Sequence, residues 1–337
     1  MTNFVLSLTL ALATQTAAEP ATPPAVEQLK HDAVAMKGLV ETPLAKAFLA
    51  GVECLPSIPT PRVVYYNKDT RDAITEAAAS AMADSQLAGY VKRDIDEEFY
   101  YFTRYGSPVA FVRPLEILGR AGVKQADGLK LVDFGFGSIG QLRVLASLGA
   151  DAVGIDVDAL LKAIYSQEGD TGKVAHCAAA GKGKAGTART VFGFFPSDTA
   201  TVANVGRGYD VFVSKNTLKR GYIHPEKDVD PRMLVHLNVD DETYVRAVFE
   251  LLKPGGYFLI YNLCPAPSKE GEAYKPWSDG RSPFAIEVYE RVGFEVIAFD
   301  YDDSGAARAM GKALGWAESM DLEKDLFGTY TLARKAK

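Results

Sequence analysis

The chain has 337 residues, 47% of them hydrophobic and 24% charged, with a net charge of −6. That is the profile of a globular chain with room for one α/β domain of about 200 residues and roughly 100 more before it. Lys and Arg are mixed with Asp and Glu with no long basic block, which argues against a nucleic-acid partner, since phosphate binding leaves a basic face. The local basic groups are Lys182, Lys184 and Arg189, and Lys215, Lys219 and Arg220.

Phe4–Ala13 is an apolar run, and small residues near Ala18 precede a Pro/Thr-rich stretch. This reads as a signal peptide over 1–18, although no Lys or Arg precedes the run. The run is shorter than the ~20 residues a spanning helix needs. Export to the periplasm or beyond is the expectation, with the cytoplasm as the alternative. Residues 19–125 read as a helical cap. Ala25–Gly51 carries an apolar stripe, Ser57–Pro61 is a connector, and alanine-rich Asp69–Ala88 has high helix propensity. Phe99, Tyr100, Tyr101, Phe102 and Tyr105 then crowd together ahead of a helix at Leu115–Ala121. Such a cluster suits either a packed core or a pocket wall.

Lys130–Asp158 is the most informative stretch. Leu131 and Val132 lead a strand into Asp133. Gly135, Gly137 and Gly140 form a G-x-G-x-x-G, Gln141–Leu148 has helical spacing, and Ala152–Ile155 is a second strand closed by Asp156. This is a βαβ nucleotide-binding unit whose closing acid is placed for a ribose. Asp133 discriminates among ligands. A dinucleotide presents a pyrophosphate near that position, which a carboxylate repels, whereas an ammonium or sulfonium is stabilised there.

VDFGFGSIG and GIDVD resemble the motifs of the class I S-adenosylmethionine-dependent methyltransferases. In that family an acid precedes x-G-x-G and a second acid closes the next strand. Here the third glycine stands one place late, at Gly140, with Ser138 in the usual position. The resemblance continues from about Gly128 to the C-terminus. Thr190–Phe195, Tyr209–Ser214 and Tyr257–Asn262 read as the third to fifth strands, with LLKPGG before the fifth. GFEVIAFD and GTYTLARK read as the sixth and seventh.

The implied domain, 126–337, is an α/β Rossmann-like fold. It has a seven-stranded, mostly parallel sheet with an antiparallel seventh strand between the fifth and sixth, helices on both faces, and the N-terminal helical extension added. The implied cofactor is S-adenosylmethionine. Asp133 would orient its amino group, the Gly135–Gly140 turn its amino-acid part, Asp156 its ribose and Asp198 its adenine. The alternative for Asp198 is a cap for a helix at Thr199–Val205. By position, Tyr101, Arg104, Tyr105 and Arg113 are candidates to line the acceptor pocket. Arg104 or Arg113 could also pair with a carboxylate.

The acceptor edge is SKNTLKRGYIHP, Ser214–Pro225, where Asn216 is a cofactor or acceptor contact. Lys215, Tyr222 and His224 are the catalytic candidates, His224 as an imidazole able to act as general acid or base. No N-P-P-Y is present, which disfavours amide and base-amine acceptors. Gly169–Thr190 reads as an insertion without a motif. Cys54, Cys177 and Cys264 contain no C-x-x-C, and His31, His176, His224 and His236 lack metal-ligand spacing, so no metal is expected. One disulfide is open, with no readable pairing. The expected activity is methyl transfer to an unidentified small-molecule or protein acceptor. Alternatives are an NAD-dependent oxidoreductase, which leaves Asp133 unexplained, and a non-catalytic nucleoside-binding protein.

Overall fold

The computed structural model describes residues 24–58 and 60–337. The apolar run at Phe4–Ala13 and the expected cleavage near Ala18 lie outside the described residues. Three strands belong to the N-terminal region: β1 (Arg62–Asn67), β2 (Ala73–Thr75) and β3 (Tyr90–Ile95). They form an antiparallel sheet in the order β2-β1-β3. The extension is therefore not purely helical. The helix expected over Asp69–Ala88 is broken. Ala73–Thr75 pairs with the β-branched and aromatic run of β1, and Thr75 caps a short helix, Glu76–Ser80. Helices Ala25–Met36 and Pro43–Gly51 fall within the expected helical stretch.

The second sheet has eight strands: β4 (Lys130–Phe134), β5 (Asp151–Asp156), β6 (Gly172–Val174), β7 (Gly186–Phe192), β8 (Tyr209–Lys215), β9 (Leu252–Cys264), β10 (Phe294–Asp302) and β11 (Phe327–Lys335). Their order is β10-β11-β9-β8-β4-β5-β7-β6. The Rossmann-like reading holds, including antiparallel β11 between β9 and β10. The addition is β6, a short antiparallel edge strand inside the segment read as a plain insertion. A helix at Ser304–Ala313, between β10 and β11, had no sequence reading.

Side chains alternate across the sheet, as strand geometry requires. Leu131, Val211, Val213 and Leu259 face one apolar layer, packed by Pro43–Gly51, Val112–Arg120 and Gly140–Ser147. Val132, Phe212, Phe258 and Ile260 face the other, packed by Asp241–Leu251 and Ile286–Val292.

Three devices fasten the N-terminal region to this body. Helix Pro43–Gly51 lies so close to helix Gly140–Ser147 that a Cβ at Gly51 would meet Val144 at 3.0 Å. Cys54 and Cys177 form a disulfide across 123 residues. Arg62 reaches Asp170 at 2.6 Å, with side chains 10% and 1% exposed, and Tyr100 donates to the same carboxylate at 2.8 Å. Breaking a buried ion pair from one side strands the other charge. We therefore expect Arg62→Met to lower unfolding stability by about 3 kcal/mol in urea titrations. An unchanged urea midpoint would show that Asp170 is not held by this pair.

Candidate functional site

The strand order turns about the adjacent β4 and β8, and ligands of open α/β sheets bind beyond the carboxyl ends at such a switch point. A cavity of about 690 Å³ opens there. It is lined by the ends of β4, β5 and β8, by Arg104–Pro108 from the N-terminal region, and by a segment at 232–236. That volume lies within the ~300–1,000 Å³ typical of small-molecule sites.

Asp133, at the end of β4, is 1% exposed. One carboxylate oxygen accepts from Gln141 Nε2 at 3.0 Å, and the same amide donates to the carbonyl of Phe136 at 2.6 Å. Both partners are acceptors, so the amide nitrogen must lie on that side. This leaves Gln141 Oε1 and Asp133 Oδ1 buried with no hydrogen-bond partner. Two orphaned acceptors in one cavity wall are costly unless a donor arrives. Burial pushes the Asp133 carboxyl up to about 7, against the lowering effects of Gln141 and Lys215.

Gly135 and Gly137 have φ of +71° and +61°, conformations that favour glycine. A Cβ on Gly135 would stand 2.0 Å from Thr217 Oγ1, and one on Gly137 would stand 2.9 Å from the Tyr105 ring. Gly140 is different. It starts helix Gly140–Ser147 and does not line the cavity, and a Cβ there would meet Pro108 at 2.8 Å. Its need for glycine comes from packing against Pro108. Ser138 ties the turn to the aromatic segment by donating to the carbonyl of Tyr101 at 2.5 Å.

Asp156 ends β5 and lines the cavity. It accepts from the N–H of Val157 at 2.8 Å and of Asp158 at 3.0 Å, which fixes its carboxylate. Burial raises it to about 6. Tyr105 and Arg104 close over this corner, both held by Asp158, at 3.1 and 3.2 Å.

Other sequence candidates lie elsewhere. Asp198 caps helix Thr199–Val205, accepting from Ala200 N at 3.0 Å and Thr201 N at 3.2 Å. It does not line the cavity; Phe194 and Phe195 occupy that edge. His224 is turned outward onto Asp241, 2.9 Å away, by the helical turn Arg220–Ile223, and is absent from the lining. Tyr101 is fully buried and donates to the carbonyl of Pro56, and Arg113 is paired with Asp303 near β10. Neither lines the cavity. Lys215, Asn216 and Tyr222 do. Asn216 has φ +66°, a conformation Asn tolerates better than most residues, and its Oδ1 accepts from Leu263 N at 2.7 Å.

The structure adds residues the sequence reading lacked: Gln141, Phe194, Phe195, Thr217, Lys219 and His236. Gln141 had a legible signal, since it stands on the first turn of the helix that follows the glycines. Among the described residues, no group of His, Cys, Asp and Glu is placed to hold a metal ion. No helix among them is long and apolar enough to cross a membrane.

No family model matches the sequence, and no curated protein matches it. Solved structures do resemble it. A phosphoethanolamine N-methyltransferase 2 from Haemonchus contortus, in complex with phosphomonomethylethanolamine and S-adenosylhomocysteine, is 17% identical with a TM-score of 0.38, over 74% of this chain and 63% of that one. The [4+2]-cyclase SpnF is 16% identical with a TM-score of 0.38, over 94% and 98%. An S-adenosylmethionine-dependent methyltransferase from Mesorhizobium loti is 17% identical with a TM-score of 0.35, over 64% and 95%. At such identities and scores the likeness carries nothing about reaction or acceptor.

Proposed function

We propose that the chain is an S-adenosylmethionine-dependent methyltransferase acting on an acceptor in the cavity. The observation that carries this reading is the pair of orphaned acceptors, Asp133 Oδ1 and Gln141 Oε1, buried at the head of the glycine turn. They call for a cationic donor, and the α-ammonium of S-adenosylmethionine is one. A pyrophosphate would place negative charge against an unpaired carboxylate, so the same atoms disfavour NAD.

When bound, the cofactor supplies a methyl group on a positive sulfur, which the acceptor's lone pair displaces as the C–S electron pair returns to sulfur. The chain's part is alignment and exclusion of water. Asp133 and Gln141 take the ammonium, and Asp156 takes the ribose hydroxyls. Phe194 and Phe195 replace Asp198 as the adenine wall, by apolar contact. Tyr105 and Arg104 cover the turn, while Lys215 and Tyr222 face the acceptor. A proton lost by the acceptor passes to water.

Calorimetry with S-adenosylhomocysteine and NADH tests the reading. We expect S-adenosylhomocysteine to bind, whereas tight NADH binding with no S-adenosylhomocysteine signal sinks the proposal. The pH dependence follows from Asp133. Its folded pKa, about 7, lies above the ordinary carboxylate value. The empty folded protein therefore binds protons more tightly than the unfolded chain, and loses stability as pH rises from the unfolded value to about 7. A bound ammonium favours the ionised form. S-adenosylhomocysteine affinity should thus rise as pH increases toward 7 and then level off, with proton release on binding below 7. Asp133→Asn should remove that upper step while leaving the contribution of Asp156, which is raised to about 6.

The disulfide supports an oxidising compartment, since such bonds are rare in cytosolic proteins. We read the chain as exported on that ground, and a mature N-terminus near Glu19, found by mass spectrometry, is the direct check.

A further inference from the structure

Charge is divided across the cavity. Its lining acids are Asp133 and Asp156, both at the glycine turn, and its lining bases are Arg104, Lys215, Lys219 and Arg232, with His236 beside them. Arg104 is paired with Asp158, and Arg232 with Asp230. Lys215 and Lys219 make no salt bridge among the described residues.

Lys219 is 4% exposed. Its Nζ donates to the carbonyls of Leu263 at 2.6 Å and Trp277 at 3.3 Å, and lies 5.4 Å from the centroid of the Tyr222 ring. An ammonium has three donors, so one is left over. The two carbonyls aim the group without cancelling its charge. Lys215 ends β8, and the charged groups it senses are Asp133 and Lys219. Burial lowers both amines, Lys219 to about 8. Asp133 is the one carboxylate that acts on Lys215, and none acts on Lys219. Once a cofactor ammonium takes Asp133, two neighbouring ammonium groups are left without a carboxylate, an arrangement that an anion relieves. The only lining carboxylates, Asp133 and Asp156, are the two assigned to the cofactor.

We infer that Lys215 and Lys219 form an anion subsite, and that the methyl acceptor carries a carboxylate or another fixed negative group beside the atom that is methylated. This rests on the cofactor reading of the Asp133 side. The cofactor itself also bears a carboxylate, so the test must separate the two sources of negative charge.

The experiment titrates benzoate and its neutral isostere benzamide into the wild-type chain, Lys215→Met, Lys219→Met and Lys219→Arg. Each titration is run with and without saturating S-adenosylhomocysteine and read by ligand-observed NMR. Benzoate should bind in the millimolar range and benzamide about tenfold more weakly. Either Met substitution should erase the difference, Lys219→Arg should keep it, and S-adenosylhomocysteine affinity should stay within about twofold in the two Lys219 variants. Equal binding of the two probes, or no benzoate signal up to roughly 20 mM, overturns the inference. So does benzoate binding that survives both Met substitutions. A fall of about tenfold in S-adenosylhomocysteine affinity in Lys219→Met also overturns it, because the bound anion is then the cofactor's own carboxylate. If the wild type binds benzoate through the lysines but not S-adenosylhomocysteine, the anion subsite stands and the cofactor reading falls.

Discussion

Asp156→Ala should weaken S-adenosylhomocysteine binding by about 100-fold, while the melting temperature of the empty protein moves little. The size of the loss follows from the ribose. Two hydroxyls donating to one carboxylate make charge-assisted hydrogen bonds, and losing them in an enclosed site costs about 3 kcal/mol, or roughly two decades of affinity. The small effect on stability has a separate cause. Asp156 lies partly buried with its carboxyl raised to about 6, so burying its charge already disfavours the folded state near neutral pH. The amides it accepts from belong to exposed Val157 and half-buried Asp158, and both can turn to water. Asp156→Asn should fall between, since an amide accepts from one hydroxyl but confronts the other with a donor. Calorimetry beside thermal melts separates the two effects. Wild-type affinity in Asp156→Ala, with affinity lost in Asp133→Asn, would move the ribose away from β5.

The same corner shows what sequence can and cannot disclose. Asp133 and Asp156 were legible because strand, glycine turn and strand fix where each carboxylate stands along the chain, and the ends of β4 and β5 are adjacent in a parallel pair. Asp198 and His224 were not, because their roles depend on direction. An aspartate before a helix can cap it or point at a ligand, and here the N–H groups of Ala200 and Thr201 claim it. His224 stands five residues after Lys219, but one helical turn between them sends the two side chains to different places. Lys219 was missed for the opposite reason. Locally it is only one of a basic group with Lys215 and Arg220, and the carbonyls that hold it, those of Leu263 and Trp277, are more than forty residues away. The Asp69–Ala88 reading failed where propensity met a partner strand. Ala73, Ile74 and Thr75 pair with Tyr66, Tyr65 and Val64, and that pairing outweighs an alanine-rich local preference.

Removing the Cys54–Cys177 bond should be the largest single stability loss in the chain, and it should reach the cofactor corner. The bond closes a loop of 123 residues in sequence separation. In the chain-entropy description such a loop is worth about 5 kcal/mol, an upper value given how often measured effects fall short. Cys54→Ser, or reduction of the wild type, should therefore lower stability by about 3–5 kcal/mol in urea titrations. A chain of contacts carries the effect further. Cys54 lies two residues before Pro56, whose carbonyl accepts from Tyr101, and the carbonyl of Tyr101 accepts from Ser138 inside the glycine turn. Freed of the bond, the segment around Pro56 is held by weaker contacts, chiefly Glu97 with Ser57 and Ile58. Amide exchange should then accelerate in Glu97–Phe102 more than in Asp241–Leu251, which packs on the far face of the sheet. S-adenosylhomocysteine binding should weaken by only a few-fold, because Asp133, Gln141 and Asp156 stand on the sheet body. Equal urea midpoints for oxidised and reduced protein would remove the staple from the account. Uniform acceleration of exchange would confine the bond to global stability, with no path to the site.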